Sequence, residues 1–265
     1  MRLFTVDAFT NMPFKGNPAA VCILDKALPD TDYYDIAKEM NLPATAFVYE
    51  ENSKYRLRWF TPTSEIGLCG HATLATSKIL FEKLNVSKDS LEFVTKGGLL
   101  TVKRKGSQIE MDFPIGKVQR ENINDALLEP FLGEKPVDIH IDGDLCLVEV
   151  ENTDLVENFE PNFALLLEHP KKRFIITSKA SNGNYDFISR VFAPDFGIDE
   201  DPVTGSAHCY LANYWSEKLS KNTLIGYQAS KRGGVVACEV LNNGRVLLRG
   251  DCVIMAELLV EWDGN

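Results

Sequence analysis

YRLRWFTP (residues 55–62) returns as FISRVFAP (187–194), 132 residues further along the chain, with Arg58 kept as Arg190, Phe60 as Phe192 and Pro62 as Pro194. Two more segments follow in the same order. GHATLA (70–75) resembles AHCYLA (207–212) at an offset of 137, which sets His71 over His208 and Leu74 over Leu211. KGGLLTVKRKGSQIEM (96–111) lies over RGGVVACEVLNNGRVLL (232–248), with glycine pairs at 97/98 and 233/234. Segments repeated in order at nearly one offset point to a structural unit used twice. The five extra residues of the second copy fall in DFGIDEDPVTG (195–205), a longer acidic loop ahead of its helix.

Each copy reads as strands, a buried helix, then strands again. In the first, alternation marks a strand at 55–60, apolar residues a helix over 70–84, and further strands follow near 91–95, 99–104 and 108–113. In the second, strands are expected at 173–177 and 186–192, a helix over 206–220, and strands near 224–229, 235–241, 245–250 and 253–260. Shorter amphipathic helices are expected at 30–40, capped by Asp30 or Thr31, and at 123–132 and 162–168. The boundary falls around 116–122, dividing the chain into 1–117 and 118–265. The fold class expected is α+β, two pseudo-symmetric halves that each wrap strands around one apolar helix.

Composition narrows the function. The chain has 265 residues, 45% hydrophobic and 25% charged, with a formal net charge of -10. Its longest basic groupings, 103–105 and 171–173, are three residues long, too short for a phosphate-backbone partner. No window approaches eighteen uninterrupted apolar residues, and MRLFTVDAFT lacks the apolar segment and cleavage site of a signal peptide. A cytoplasmic protein with no nucleic-acid or membrane partner is expected. The six cysteines, at 22, 69, 146, 209, 238 and 252, include no CxxC and read as reduced thiols. With four histidines and no close His/Cys spacing, no metal site is expected.

Chemistry collects at the two helix mouths. A helix N-terminus carries free N–H groups and partial positive charge, and Gly70 and Gly205 let an anion approach the backbone. Two such mouths suit a small carboxylate substrate. Cys69 and His71 flank Gly70, with Glu65 upstream; Glu200, Asp201, Thr204, Ser206 and His208 gather around Gly205, where Ser206 reads as the natural N-cap. Each residue also has an ordinary reading. An imidazole near a helix end is often structural, Cys69 can simply pack, Asp201 before Pro202 can fix a turn, and His208 lies one turn inside its helix. The duplicated placement singles out His71 and Asp201.

The set DAF…GNPAAV (7–21), MNLxxTAFV (40–48), LRWFTP…CGHATLA (57–75), EDPVTGSAH (200–208) and RGG (232–234) resembles the phenazine-biosynthesis PhzF-type isomerase family over essentially the whole chain. The resemblance implies a diaminopimelate-epimerase-like fold: two pseudo-symmetric halves, each a strand-rich barrel around a central helix, with the active site in the cleft between them. It also implies a homodimer with no metal or organic cofactor. In relatives that epimerise amino acids, each half supplies a cysteine. Here Cys69 keeps the first, but PVTGS lacks a second thiol, which disfavours a two-thiol racemase.

PhzF-type enzymes use a glutamate in the segment NLSETAFV to carry a proton between carbons of a dihydro-hydroxyanthranilate, helped by positions matching His71, Asp201 and Ser206. Here the segment reads NLPATAFV, so Pro43 and Ala44 stand where the family has Ser-Glu. A methyl group cannot move a proton. The expectation is an isomerase transferring a proton on a small carboxylic acid. His71 and Asp201 would be catalytic, Asn17, Gly70, Gly205 and Ser206 would hold the substrate, and Cys69 would be a possible auxiliary. The alternative, carried by Ala44, is a catalytically silent homologue that binds a small acid or a protein partner. A racemase relying on Cys69 with a non-thiol partner ranks third.

Overall fold

The computed structural model describes residues 1–120, 128–181 and 183–261. The chain folds as two compact units, Met1–Phe113 with Leu247–Asn265, and Pro114–Val246. Both are α+β.

The first unit opens with β1 (Arg2–Ala8) and β2 (Asn17–Ile23), then α1 (Asp30–Met40), β3 (Ala44–Glu51), β4 (Lys54–Phe60), β5 (Glu65–Ile66), α2 (Gly70–Glu82), β6 (Ser90–Thr95), β7 (Gly98–Lys105) and β8 (Gln108–Pro114). β1 pairs antiparallel with β2, and β2 runs parallel to β3. β3 is antiparallel to β4, which takes short β5 antiparallel and β6 parallel; β6 then pairs antiparallel with β7. Parallel neighbours require a crossover, and α1 and α2 supply them.

The second unit contains β9 (Gln119–Arg120), α3 (Glu129–Leu132), β10 (Asp138–Asp142), β11 (Leu145–Glu149), α4 (Thr153–Asn158), α5 (Phe163–Glu168), β12 (Arg173–Lys179), β13 (Phe187–Ala193), β14 (Ile198–Asp201), α6 (Gly205–Leu219), β15 (Thr223–Gln228) and β16 (Gly234–Val240). Its pairings follow the same sequence of directions: β10–β11 antiparallel, β11–β12 parallel, β12–β13 and β13–β14 antiparallel, β13–β15 parallel, β15–β16 antiparallel. The chain returns to the first unit within β17 (Arg245–Gly250), and β18 (Cys252–Leu259) pairs antiparallel with β1.

The helix α2 is buried on nearly every side and packs against β1, β2, β3 and β18. Its polar residues survive there because they bond within the helix. Thr73, Thr76 and Ser77 donate their hydroxyls to the carbonyls of Cys69, Ala72 and Thr73 at 2.6, 2.7 and 2.8 Å. The opposite face of that sheet is covered by α1, where Tyr33 stacks on Phe60 and meets Phe47 edge-on. In the second unit α6 packs on β15 and β16, with Trp215 stacked parallel to Phe187 and its indole N–H donated to Thr177 Oγ1 at 3.0 Å.

Three expectations shift. The helix at 30–40 forms, but neither Asp30 nor Thr31 caps it: Pro29 holds the cap position without a side-chain bond, and Asp30 is already in the first turn, where its charge suits the helix dipole. The long helices span 70–82 and 205–219 rather than 70–84 and 206–220. Of the helix expected at 123–132, residues 123–127 lie outside the described residues, and the end forms α3.

Candidate active site

In the first unit, Cys69 sits at the N-cap of α2 in extended backbone and its side chain makes no cap bond to the first turn. His71, the second residue of the helix, is buried. Asn17, first residue of β2 and fully buried, brings its amide Nδ2 to 3.3 Å from His71 Nδ1, while Cys69 Sγ lies 3.5 Å from Nδ1 and 3.9 Å from Nε2. Since an amide NH₂ can only donate, Nδ1 is the acceptor and the ring proton belongs on Nε2. Burial lowers the imidazole pKa to about 3, so His71 is uncharged at neutral pH.

Ala44 belongs to the same region of the sheet. It begins β3 in register with Ala19 of β2. Alternation places Asn17 and Ala19 on one face of β2, and register places Ala44 on that face also, the one turned toward α2. Ala44 is fully buried there.

In the second unit the chain enters α6 through β14 and the turn PVT. Thr204 is the N-cap in extended backbone, but its hydroxyl donates to Asp201 Oδ2 at 2.6 Å instead of capping the helix. Gln228, buried at the end of β15, ties this turn together. Its Oε1 accepts from the Thr204 N–H at 2.8 Å, and its Nε2 donates to the Asp201 carbonyl at 2.7 Å and to Thr204 Oγ1 at 3.2 Å. Ser206 is therefore not the N-cap: it is the second helical residue and half-buried. His208 is fully buried one turn in. Its Nδ1 lies 2.8 Å from the Thr204 carbonyl and burial lowers its pKa to about 4, an arrangement that holds the helix start.

Asn17, Cys69, Gly70 and His71 thus come together at the mouth of α2, and Asp201, Gly205 and Ser206 around the mouth of α6. Sequence reasoning missed Gln228. Its signal was a polar residue on the inward parity of TLIGYQ, where Leu224 and Gly226 are the other inward positions. Arg58 and Arg190 entered the reading only as alignment marks. Arg58 Nε donates to Glu65 at 2.8 Å, and this bond is the main reason the Glu65 carboxyl titrates below its usual range. Among the described residues no group of three or more His, Cys, Asp and Glu is placed to hold a metal ion, and no helix is long and apolar enough to cross a membrane.

The fold is one used by carbon-centred epimerases. The crystal structure of a hydroxyproline epimerase from Agrobacterium vitis aligns with a TM-score of 0.62, covering 97% of this chain and 91% of that one, at 10% identity, a likeness of fold alone. Within that fold the chain belongs to the phenazine biosynthesis-like (PhzC-PhzF) family, whose model it matches over residues 6–258. An uncharacterised isomerase of Halalkalibacterium halodurans is 45% identical over 261 residues, covering 97% of this chain and 98% of that protein. The crystal structure of an Enterococcus faecalis protein of the PhzF family aligns with a TM-score of 0.92 at 40% identity, covering 97% of each chain.

Proposed function

We propose that this protein is an isomerase that moves a proton on a small, cyclic or unsaturated carboxylic acid, without a metal or organic cofactor. The observation that carries the reading is His71: a buried, uncharged imidazole in the first turn of α2, with Nδ1 engaged by Asn17. Such a ring presents an Nε2–H donor whose orientation is fixed, suited to a substrate oxygen. With a pKa of about 3 it is a weak base on its own, so Asp201 is the better proton acceptor and His71 the donor that orients the substrate. The backbone N–H groups at Gly70 and Gly205, with the Ser206 hydroxyl, would hold the substrate carboxylate.

The test is solvent exchange. A dihydro-hydroxyanthranilate and other cyclic unsaturated acids are incubated in deuterated water with wild type, His71→Ala and Asp201→Asn, and deuterium at carbon is followed by mass spectrometry. Losses of roughly 10²–10⁴-fold are expected in each variant, the range of a general acid or base. Exchange undiminished in both variants would overturn the assignments.

A second reading is a silent homologue that binds the acid without turning it over, and Ala44 favours it. The family resemblance assigns a glutamate to this position, and the residue here is a buried methyl. Ala44→Glu separates the two. Exchange that appears only in the variant supports the silent homologue; exchange by wild type rejects it. The homodimer that the resemblance implies is checked by light scattering.

A further inference from the structure

Arg190 stands in the middle of β13 with its side chain almost fully buried. Its guanidinium forks onto the Glu200 carboxylate, Nε to Oε1 at 2.6 Å and Nη2 to Oε2 at 3.0 Å. Nη1 donates to the carbonyls of Phe159 at 2.5 Å and Val156 at 3.4 Å, where α4 ends, and the cation lies 5.1 Å from the centre of the Phe192 ring. One cation therefore joins a central strand, a helix end and β14. Glu200 immediately precedes Asp201 in β14, and successive side chains of a strand point to opposite faces. Holding Glu200 toward Arg190 turns Asp201 the other way, where its carboxylate meets Thr204.

The first unit is built alike. Arg58 donates through Nε to Glu65 at 2.8 Å and through Nη1 to Asp30, in the first turn of α1, also at 2.8 Å, with its cation 5.0 Å from the Phe60 ring. Glu65 lies in the short strand that leads to the mouth of α2, as Glu200 lies in the one that leads to α6. A buried ion pair is a poor source of stability, since desolvation offsets the attraction, but a forked one fixes geometry.

We propose that Arg190, acting through Glu200, is the positioning residue that aims Asp201 and the Thr204 turn at the mouth of α6. Arg58 and Glu65 are the corresponding clasp for the mouth of α2. The consequence for catalysis rests on the isomerase reading of Asp201; the structural claim does not.

The experiment is residue-resolved amide exchange by NMR on wild type, Arg190→Met, Glu200→Gln and the double variant Arg190→Met/Glu200→Leu, together with deuterium wash-in to the dihydro-hydroxyanthranilate probe. The Thr204 N–H, which donates to Gln228, is the reporter. Its exchange should quicken by about 10-fold or more relative to amides of the β15–β16 ladder, because a local opening leaves the rest of the unit closed. The wash-in kcat should fall while KM changes little. If either single variant fails to fold, the double variant decides, since it leaves no unpaired buried charge. Thr204 exchange that stays in step with the ladder in a folded variant overturns the clasp. If wild type washes no deuterium into any acid probed, the isomerase reading falls, and Thr204 exchange still decides the clasp.

Discussion

His71 and His208 are the two imidazoles of the helix starts, and burial drives both down, to about 3 and about 4 from an ordinary value of 6.5. The folded protein therefore keeps them neutral under conditions in which the unfolded chain protonates them. Their contribution to stability is present above pH 6.5 and is lost as pH falls toward 4 for His208 and toward 3 for His71. Each contributes a slope of about 1.4 kcal/mol per pH unit inside its window. Urea midpoints of wild type measured between pH 7 and pH 4.5 should fall steeply, and His71→Asn should remove about one histidine's share of the slope. An unchanged slope in the variant would mean that His71 is not buried neutral. At this scale much of the candidate site was legible: His71, Asn17 and Asp201 came from motifs and duplicated positions. What could not be read is the partner set. Gln228 lies 24 residues from Thr204 in sequence and meets it only because β15 returns alongside β13.

The central helices were legible because extensive burial, on nearly every side of α2 and on most of α6, leaves a plain apolar signature. Their starts were less so. A hydroxyl near a helix start reads as a cap, yet Thr204 gives its proton to Asp201 and Ser206 already lies inside the helix. The hairpin β10–β11 was missed although it carries its own signal, IHIDGDLCLVEV, a two-residue Gly-Asp turn (Gly143, Asp144) between alternating segments with Gly143 in left-handed backbone. The packing of α6 against its sheet yields a prediction that no motif suggests. A Cβ at Gly226 of β15 would fall 2.4 Å from Phe187 Cζ and 3.1 Å from His208 Cδ2. Phe187 cannot move away freely, since it stacks on Trp215 at an interplanar angle of 4°. Gly226→Ala should therefore cost about 1–3 kcal/mol in chemical unfolding, as overpacked cores do. Phe187→Leu in the same chain should recover part of that loss; if Gly226→Ala is neutral, the α6 contact is looser than these distances state.

For the molecule as a whole, a repeat read along the sequence suggests one cut, near residue 117, but strand pairing follows space instead. β18 is antiparallel to β1, so the first unit needs residues from both ends of the chain, while Pro114–Val246 is continuous. The residues that aligned the two copies, Arg58 and Arg190, turn out to make corresponding ion pairs, so the similarity visible in the sequence marks work done in both units. The closing strand is invisible to that alignment because what identifies it is its partner. A test follows from the continuity difference. The fragment 114–250, which keeps β17 whole beside β16, should fold alone, giving dispersed amide resonances and a cooperative melt, because it holds the parallel and antiparallel pairings among β10–β16 without cutting a strand. The fragment 1–113 should not: without β18 one edge of β1 is unpaired, and the sheet loses a strand that packs against α2. Adding a peptide of residues 247–265 should restore its structure in proportion to peptide concentration, as ligand-linked folding requires. Folding of 1–113 unaided would show that β18 is an addition to the first unit rather than a part of it.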